Sequence, residues 1–139
     1  MKQLEPMIME RTYAAPVAAV WSALTDSTQM KQWYIDWDGF WPEVGCEFTF
    51  DAIKNGTSYI RLCQVKEVIP NKKISYSWRY EGHEGDSLVS FELFDEGGKT
   101  RLKLTHEGLH TFTVFKRENF MAGWNHFVNT ALPDFLSAK

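Results

Sequence analysis

Three things are missing from this sequence: a long apolar run, a block of like charge, and enough cysteine to staple a fold. Its apolar stretches are only a few residues long, far short of the roughly 20 that a membrane-spanning helix needs. The opening Met1 to Pro6 has neither the apolar core nor the cleavage site of a secretory signal, so the expectation is a cytoplasmic protein with no membrane span. With 15 Lys and Arg against 18 Asp and Glu, and no stretch of one sign to track a phosphate backbone, nucleic acid is not an expected partner. Cys46 and Cys63 lie in neither a CxxC nor a metal-ligand spacing, and two thiols cannot make a disulfide framework; both are expected to be buried or half-buried. No pair of the four histidines has metal-ligand spacing. There is no glycine-rich phosphate loop, no nucleophile motif, and no two acids set by pattern on one face of a pocket. Accordingly no metal, no cofactor and no catalytic residue is expected.

What is present is a chain of 139 residues, enough for one domain spanning 1–139 that buries about two-thirds of its unfolded surface. Aromatics make up 15% of it, and the six tryptophans cluster, with Trp33, Trp37 and Trp41 close together. Such residues either line apolar pockets or fill a heavy core.

Periodicity sets the elements. Met7 to Tyr13 alternates as a strand with Met7, Met9, Arg11 and Tyr13 on one face, leaving Arg11 as the odd member of an apolar row. A guanidinium there needs a carboxylate or carbonyl partner, or must snorkel outward, and an internal salt bridge is expected. Pro16 suits the first turn of a short helix carrying Val17, Val20, Trp21 and Leu24, and Asp26 to Gln29 reads as a capping box for a second with Met30 and Trp33. Asp36 to Gly45 is an aromatic loop, either a gate at a cavity mouth or a hydrophobic plug. Strands are expected at Cys46–Ala52, Ser58–Val68, Lys73–Tyr80, Ser87–Phe94 and Thr100–Glu107, separated by Asn55-Gly56, Pro70-Asn71, Gly82 to Gly85 and Gly97-Gly98. Phe48 pairs in parity with Phe50. Tyr76 and Trp78 share a face with Ile74 and Tyr80, Phe91 with Val89 and Leu93, and Leu102 with Leu104 and His106. The strand from Ser58 carries apolar residues on both parities, which predicts a bulge or two-sided burial.

The chain closes with a helix from about Arg117 to Ser137 whose Phe120, Met121, Trp124, Phe127, Val128, Ala131, Leu132 and Phe135 share one arc at about 100° per residue. Asn125, His126, Asn129 and Thr130 fall opposite. At about 30 Å it is as long as a small domain is wide and must lie across the sheet. Pro133 inside it favours a kink or an early end. The reading is an α+β container: a curved antiparallel sheet of about six strands around a long helix, with two short helices after strand one.

Specific residues narrow this. The run Arg11 to Pro16 leads into Val20-Trp21 and Ala23 to Asp26. Trp33, Pro42 to Gly45, Phe48 and Phe50, Pro70 with Tyr76 and Trp78, and Gly123-Trp124 then follow in order. Together they resemble the homologues of the activator of the heat-shock protein 90 ATPase, within the helix-grip (START-like, birch-pollen-allergen-like) superfamily. The match covers almost the whole chain. Val44-Gly45 stands where a paired glycine is usual, and Cys63 where glycine is common; both add bulk near the sheet. The resemblance implies the fold and an apolar cavity, and sets a possible chaperone partner and a stress-response role beside it.

The expected function is binding of a small apolar or lipid-like molecule between the last helix and the sheet, with Trp33, Trp41, Phe48, Tyr76, Trp78, Phe91, Leu102, His106, Met121, Trp124 and Val128 around it. The alternatives are a protein-interaction module acting on a chaperone and a cyclase- or hydrolase-type cavity enzyme. His106 is the best single polar candidate: an imidazole inside an apolar cavity orients a ligand or serves as an acid or base, while at a strand end it is more often structural.

Overall fold

The computed structural model describes residues 6–34, 40–54, 56–113 and 116–137. Residues 1–5, Trp37 of the aromatic loop and Asn55 of the first hairpin turn lie outside the described residues, as does the side chain of Phe50.

Alternation over Met7–Tyr13 (β1) buries Met7 and Tyr13 and leaves Ile8, Glu10 and Thr12 exposed. Pro16 takes the cap position, one residue ahead of α1 (Val17–Thr25), with the extended backbone that precedes a helix. Asp26 closes α1 and opens α2 (Ser27–Trp33), its carboxylate accepting from the Thr28 N–H at 2.9 Å. The strands β2 (Glu47–Lys54), β3 (Thr57–Ile69), β4 (Lys73–Tyr80), β5 (Ser87–Asp95) and β6 (Thr100–Glu107) follow. Their ends differ from the expected ones by no more than two residues.

The six strands form one antiparallel sheet in the order β1-β6-β5-β4-β3-β2. The first two strands thus stand at opposite edges, and α1 and α2 carry the chain across the sheet's full width. Between β5 and β6, Gly97 and Gly98 both take positive φ, 72° and 88°, as a hairpin matching the strand twist requires. Gly108 is needed for a different reason. A Cβ there, at φ 85°, would lie 2.6 Å from the Asp86 carbonyl oxygen, so only glycine lets the chain leave β6 so close to the start of β5.

The expected irregularity in β3 is a bulge: the register with β4 shifts between Val65 and Glu67. Before it Arg61, Cys63 and Val65 pair with Tyr80, Trp78 and Tyr76; after it Val68 pairs with Ile74. The extra residue flips the parity, which is why apolar side chains sit on both.

The last helix is in three parts: α3 (Arg117–His126), one wide turn (Phe127–Ala131), and α4 (Leu132–Ser137). The cause is local. In the wide turn the Leu132 N–H reaches back five residues to the Phe127 carbonyl, stranding that of Val128, and Pro133 has no N–H for the carbonyl of Asn129. Both orphans are met from β1. The Tyr13 hydroxyl donates to the Val128 oxygen at 2.7 Å, and Arg11 Nη1 to the Asn129 oxygen at 3.0 Å and the Asn129 side-chain oxygen at 3.2 Å. Arg11 therefore has the carbonyl partner rather than the expected salt bridge, and at Pro133 the helix widens and continues, where a kink or an early end is expected.

Candidate functional site

The inner face of the sheet and the inward side of the helix meet in a cluster of rings. Trp124 lies 5.5 Å from Trp78, 5.7 Å from Phe91 and 5.8 Å from Tyr34, measured between ring centroids. Tyr34, just past α2, also meets Phe127 edge-on at 4.8 Å, and its hydroxyl shares a hydrogen bond of 2.8 Å with that of Tyr76. Phe48 fills the β2 side, edge-on to Tyr76 at 5.1 Å and to Phe40 at 4.9 Å. Burial pushes the Tyr34, Tyr76 and Tyr80 hydroxyls and the Cys63 thiol up from their ordinary values, so all four stay neutral.

His106 is fully buried and completely bonded. The Trp124 indole N–H can only donate, and it does so to Nδ1 at 2.9 Å; the ring proton must then be on Nε2, which faces the Ser87 hydroxyl oxygen at 2.9 Å. That hydroxyl in turn donates to the Trp78 carbonyl at 2.7 Å. The chain runs Trp124 to His106 to Ser87 to Trp78, and every donor has one acceptor. Burial lowers the imidazole pKa to about 3, so the ring is neutral at physiological pH. A nucleophilic serine needs its proton on an imidazole acceptor; here the serine proton points at a carbonyl, the reverse arrangement. The geometry assigns this group to holding helix against sheet.

Beside the ring cluster the helix and sheet part to leave a cavity of about 120 Å³. Trp78 and Tyr80 of β4 form its floor, Phe120, Gly123, Trp124 and Phe127 its roof, and Arg61 and Asn119 its polar borders. The Arg61 guanidinium carbon stands 4.8 Å from the centre of the Trp78 ring, a cation resting on an indole face. Trp78 Nε1 donates to the Tyr80 hydroxyl oxygen at 3.0 Å, fixing the floor.

Of the residues expected around a common volume, Trp78 and Trp124 line this cavity. Trp33, Phe48, Tyr76, Phe91, Leu102, His106 and Val128 are buried in the packed core beside it. Trp33 is fixed by its indole N–H on the Ala23 carbonyl at 2.8 Å. Two expectations are corrected. Trp41 is 70% exposed, because a tight turn from Trp41 to Glu43 sends its ring outward while Phe40 takes the inward place against Phe48. Met121 is 45% exposed, one turn into α3, although it shares a helical direction with the buried Val128. Arg61, Tyr80, Asn119 and Gly123 were not anticipated in the site, and Phe120 and Phe127 were placed on the buried arc but not in it. The signal for Arg61 was available: a lone charge on the inward parity between Tyr59 and Cys63. Among the described residues no three of His, Cys, Asp and Glu are grouped to hold a metal, and no helix is long and apolar enough to cross a membrane.

The family model described as Activator of Hsp90 ATPase homolog 1-like protein matches residues 14–137. Among solved structures, the fold is similar to CalU16 from Micromonospora echinospora, 30% identical over 95% of this chain and 76% of that one, with a TM-score of 0.75. It is similar to protein MLL2253 from Mesorhizobium loti, 27% identical over 97% and 98% of the two chains, with a TM-score of 0.80. Mll3558 from Rhizobium loti, 24% identical over 95% and 96%, superposes with a TM-score of 0.84. No curated protein matches the sequence.

Proposed function

Because the chain belongs to the family of Activator of Hsp90 ATPase homolog 1-like proteins, whose helix-grip fold it has, we propose that it binds a small apolar or amphipathic molecule between its last helix and its sheet. The observation that carries this reading is the cavity of about 120 Å³, with aromatic walls from both layers and two polar side chains at its border. A dry apolar cavity of about 150 Å³ accepts benzene, so the space suits a single ring or a short branched chain. Four fused rings or a long acyl tail would require α3 to move. His106, neutral and with both ring nitrogens bonded, is not poised to exchange a proton near pH 7, which favours holding over turnover.

Thermal-shift titration with toluene, indole and short fatty acids tests the proposal. A ligand that binds only the folded state adds about 2.7 kcal/mol at a hundredfold excess over Kd, roughly 9 °C for a chain of this length. At least one saturable rise is expected. A blank screen, together with stimulation of an Hsp90 ATPase by the purified domain, would transfer the function to the protein surface and overturn the proposal.

A further inference from the structure

We infer that Gly123 is the size-determining position of the cavity: the ligand's ring lies directly against the α3 backbone there, and a side chain at 123 would take its place. The inference rests on the binding role proposed above. A glycine inside a helix weakens it, because the unfolded chain gains freedom and the backbone loses the cover of a Cβ. Two structural demands call for one all the same: a backbone conformation closed to other residues, or a neighbour so close that a Cβ has no room. Neither applies at Gly123. Every other described glycine takes a positive φ, whereas Gly123 lies within α3 with its carbonyl accepting from the Phe127 N–H, so the helix runs through it unbroken. Among the described residues, a Cβ built on Gly123 would meet nothing within 4 Å, the reverse of Gly108. What sets this glycine apart is its place in the roof of the cavity.

The geometry of α3 turns that missing Cβ into a notch. Asn119, Gly123 and Phe127 follow one another at intervals of four, a single row down the helix, and all three border the cavity. Asn119 and Phe127 carry side chains and Gly123 has none, so the row is open at its middle, across the cavity from Trp78 and Tyr80. Helical Cα–Cβ bonds tilt toward the N-terminus, so a side chain at 123 would reach back toward Asn119 and across that opening. The volume makes the position decisive. At about 120 Å³ the space is already tight for a single ring, since a dry cavity of about 150 Å³ is what accepts benzene. Each carbon added at 123 is taken from the room left for the ligand. Helix stability and ligand room therefore pull in opposite directions here: alanine would strengthen α3 and narrow the cavity.

Toluene and indole are the probes, titrated by calorimetry against the unaltered protein, Gly123→Ala and Gly123→Leu. Ala122→Leu is the control, adding bulk at the exposed neighbouring position, outside the cavity. Without ligand, Gly123→Ala should melt about 2–4 °C higher than the unaltered protein, as an open helical site requires. It should bind toluene about tenfold or more weakly, the effect of forcing one methyl into a filled space, and Gly123→Leu should bind neither probe. Ala122→Leu should keep toluene affinity within about twofold. Near-ultraviolet circular dichroism reports whether each variant keeps its fold; if Gly123→Leu does not, Gly123→Ala decides alone. Three results would overturn the inference while leaving the binding role in place: a lower melting temperature for Gly123→Ala, toluene affinity unchanged in that variant, or a comparable loss in Ala122→Leu. Failure of the unaltered protein to bind either probe would overturn the binding role along with it.

Discussion

A histidine held neutral inside a protein makes stability depend on pH, and His106 gives that dependence a size. Its pKa is about 3 in the folded chain, against 6.5 for an ordinary imidazole, because burial penalises the charged form. Between those values the unfolded chain binds a proton that the folded chain does not, so acid favours unfolding. The contribution is fully present above pH 6.5 and is lost as pH falls through the window from 6.5 toward 3. From pH 7 to pH 5 the loss is about 2 kcal/mol, a large part of the 5–15 kcal/mol that holds a typical domain together. His83, His110 and His126 are exposed. The assay is urea unfolding at pH 7, 6 and 5 for the unaltered protein and for His106→Gln, whose amide can take the Trp124 proton and donate to Ser87. The variant should start less stable and show a slope shallower by about 1 kcal/mol per pH unit. Equal slopes over this window would refute the assignment of a buried, neutral imidazole.

Two further perturbations probe the same interface. Tyr13→Phe removes the hydroxyl on the stranded Val128 carbonyl and should cost about 1–3 kcal/mol in urea unfolding, with faster amide exchange in α4 than in β4; unchanged stability would show that the carbonyl finds another donor. Trp124→Ala deletes a wall of the cavity, a donor to His106 and a ring packed on Tyr34, Trp78, Phe91 and Phe127, and should cost about 3–5 kcal/mol; a loss under about 1 kcal/mol would mean the indole is not part of the core.

The order of elements could be read from the sequence because the periodicities are strong where one face is buried. Parity alone put Tyr76, Trp78, Phe91, Leu102 and His106 on the inner face, and Asp26 marked the boundary between the two short helices. The cavity itself was not legible. Its position depends on where large rings stop filling space, and Tyr34, outside every regular element, fills the centre that the helical arc suggested was open. Helical angle reports direction around an axis but not how far the sheet extends along it, so Met121 and Val128 looked alike and only Val128 is covered. The bulge between Val65 and Glu67 puts apolar residues on both parities of β3, and Arg61 stands out as a charge on the inward face only when the stretch ahead of that shift is read by itself.

The sheet order also governs how this chain comes to be folded. β1 is made first, yet its neighbour is β6, and the carbonyls satisfied by Arg11 and Tyr13 lie 118 and 115 positions further on. At about 5–20 residues per second a ribosome needs roughly 6–24 s to supply them. Throughout that interval the strand that will become an edge of the sheet is a nascent segment with its apolar side chains and backbone groups unpartnered, open to chaperones and to other chains. Closure is consequently a late, long-range event, of the kind that makes sheet proteins slow to fold, and it cannot occur in a nascent chain that has not yet reached the last helix.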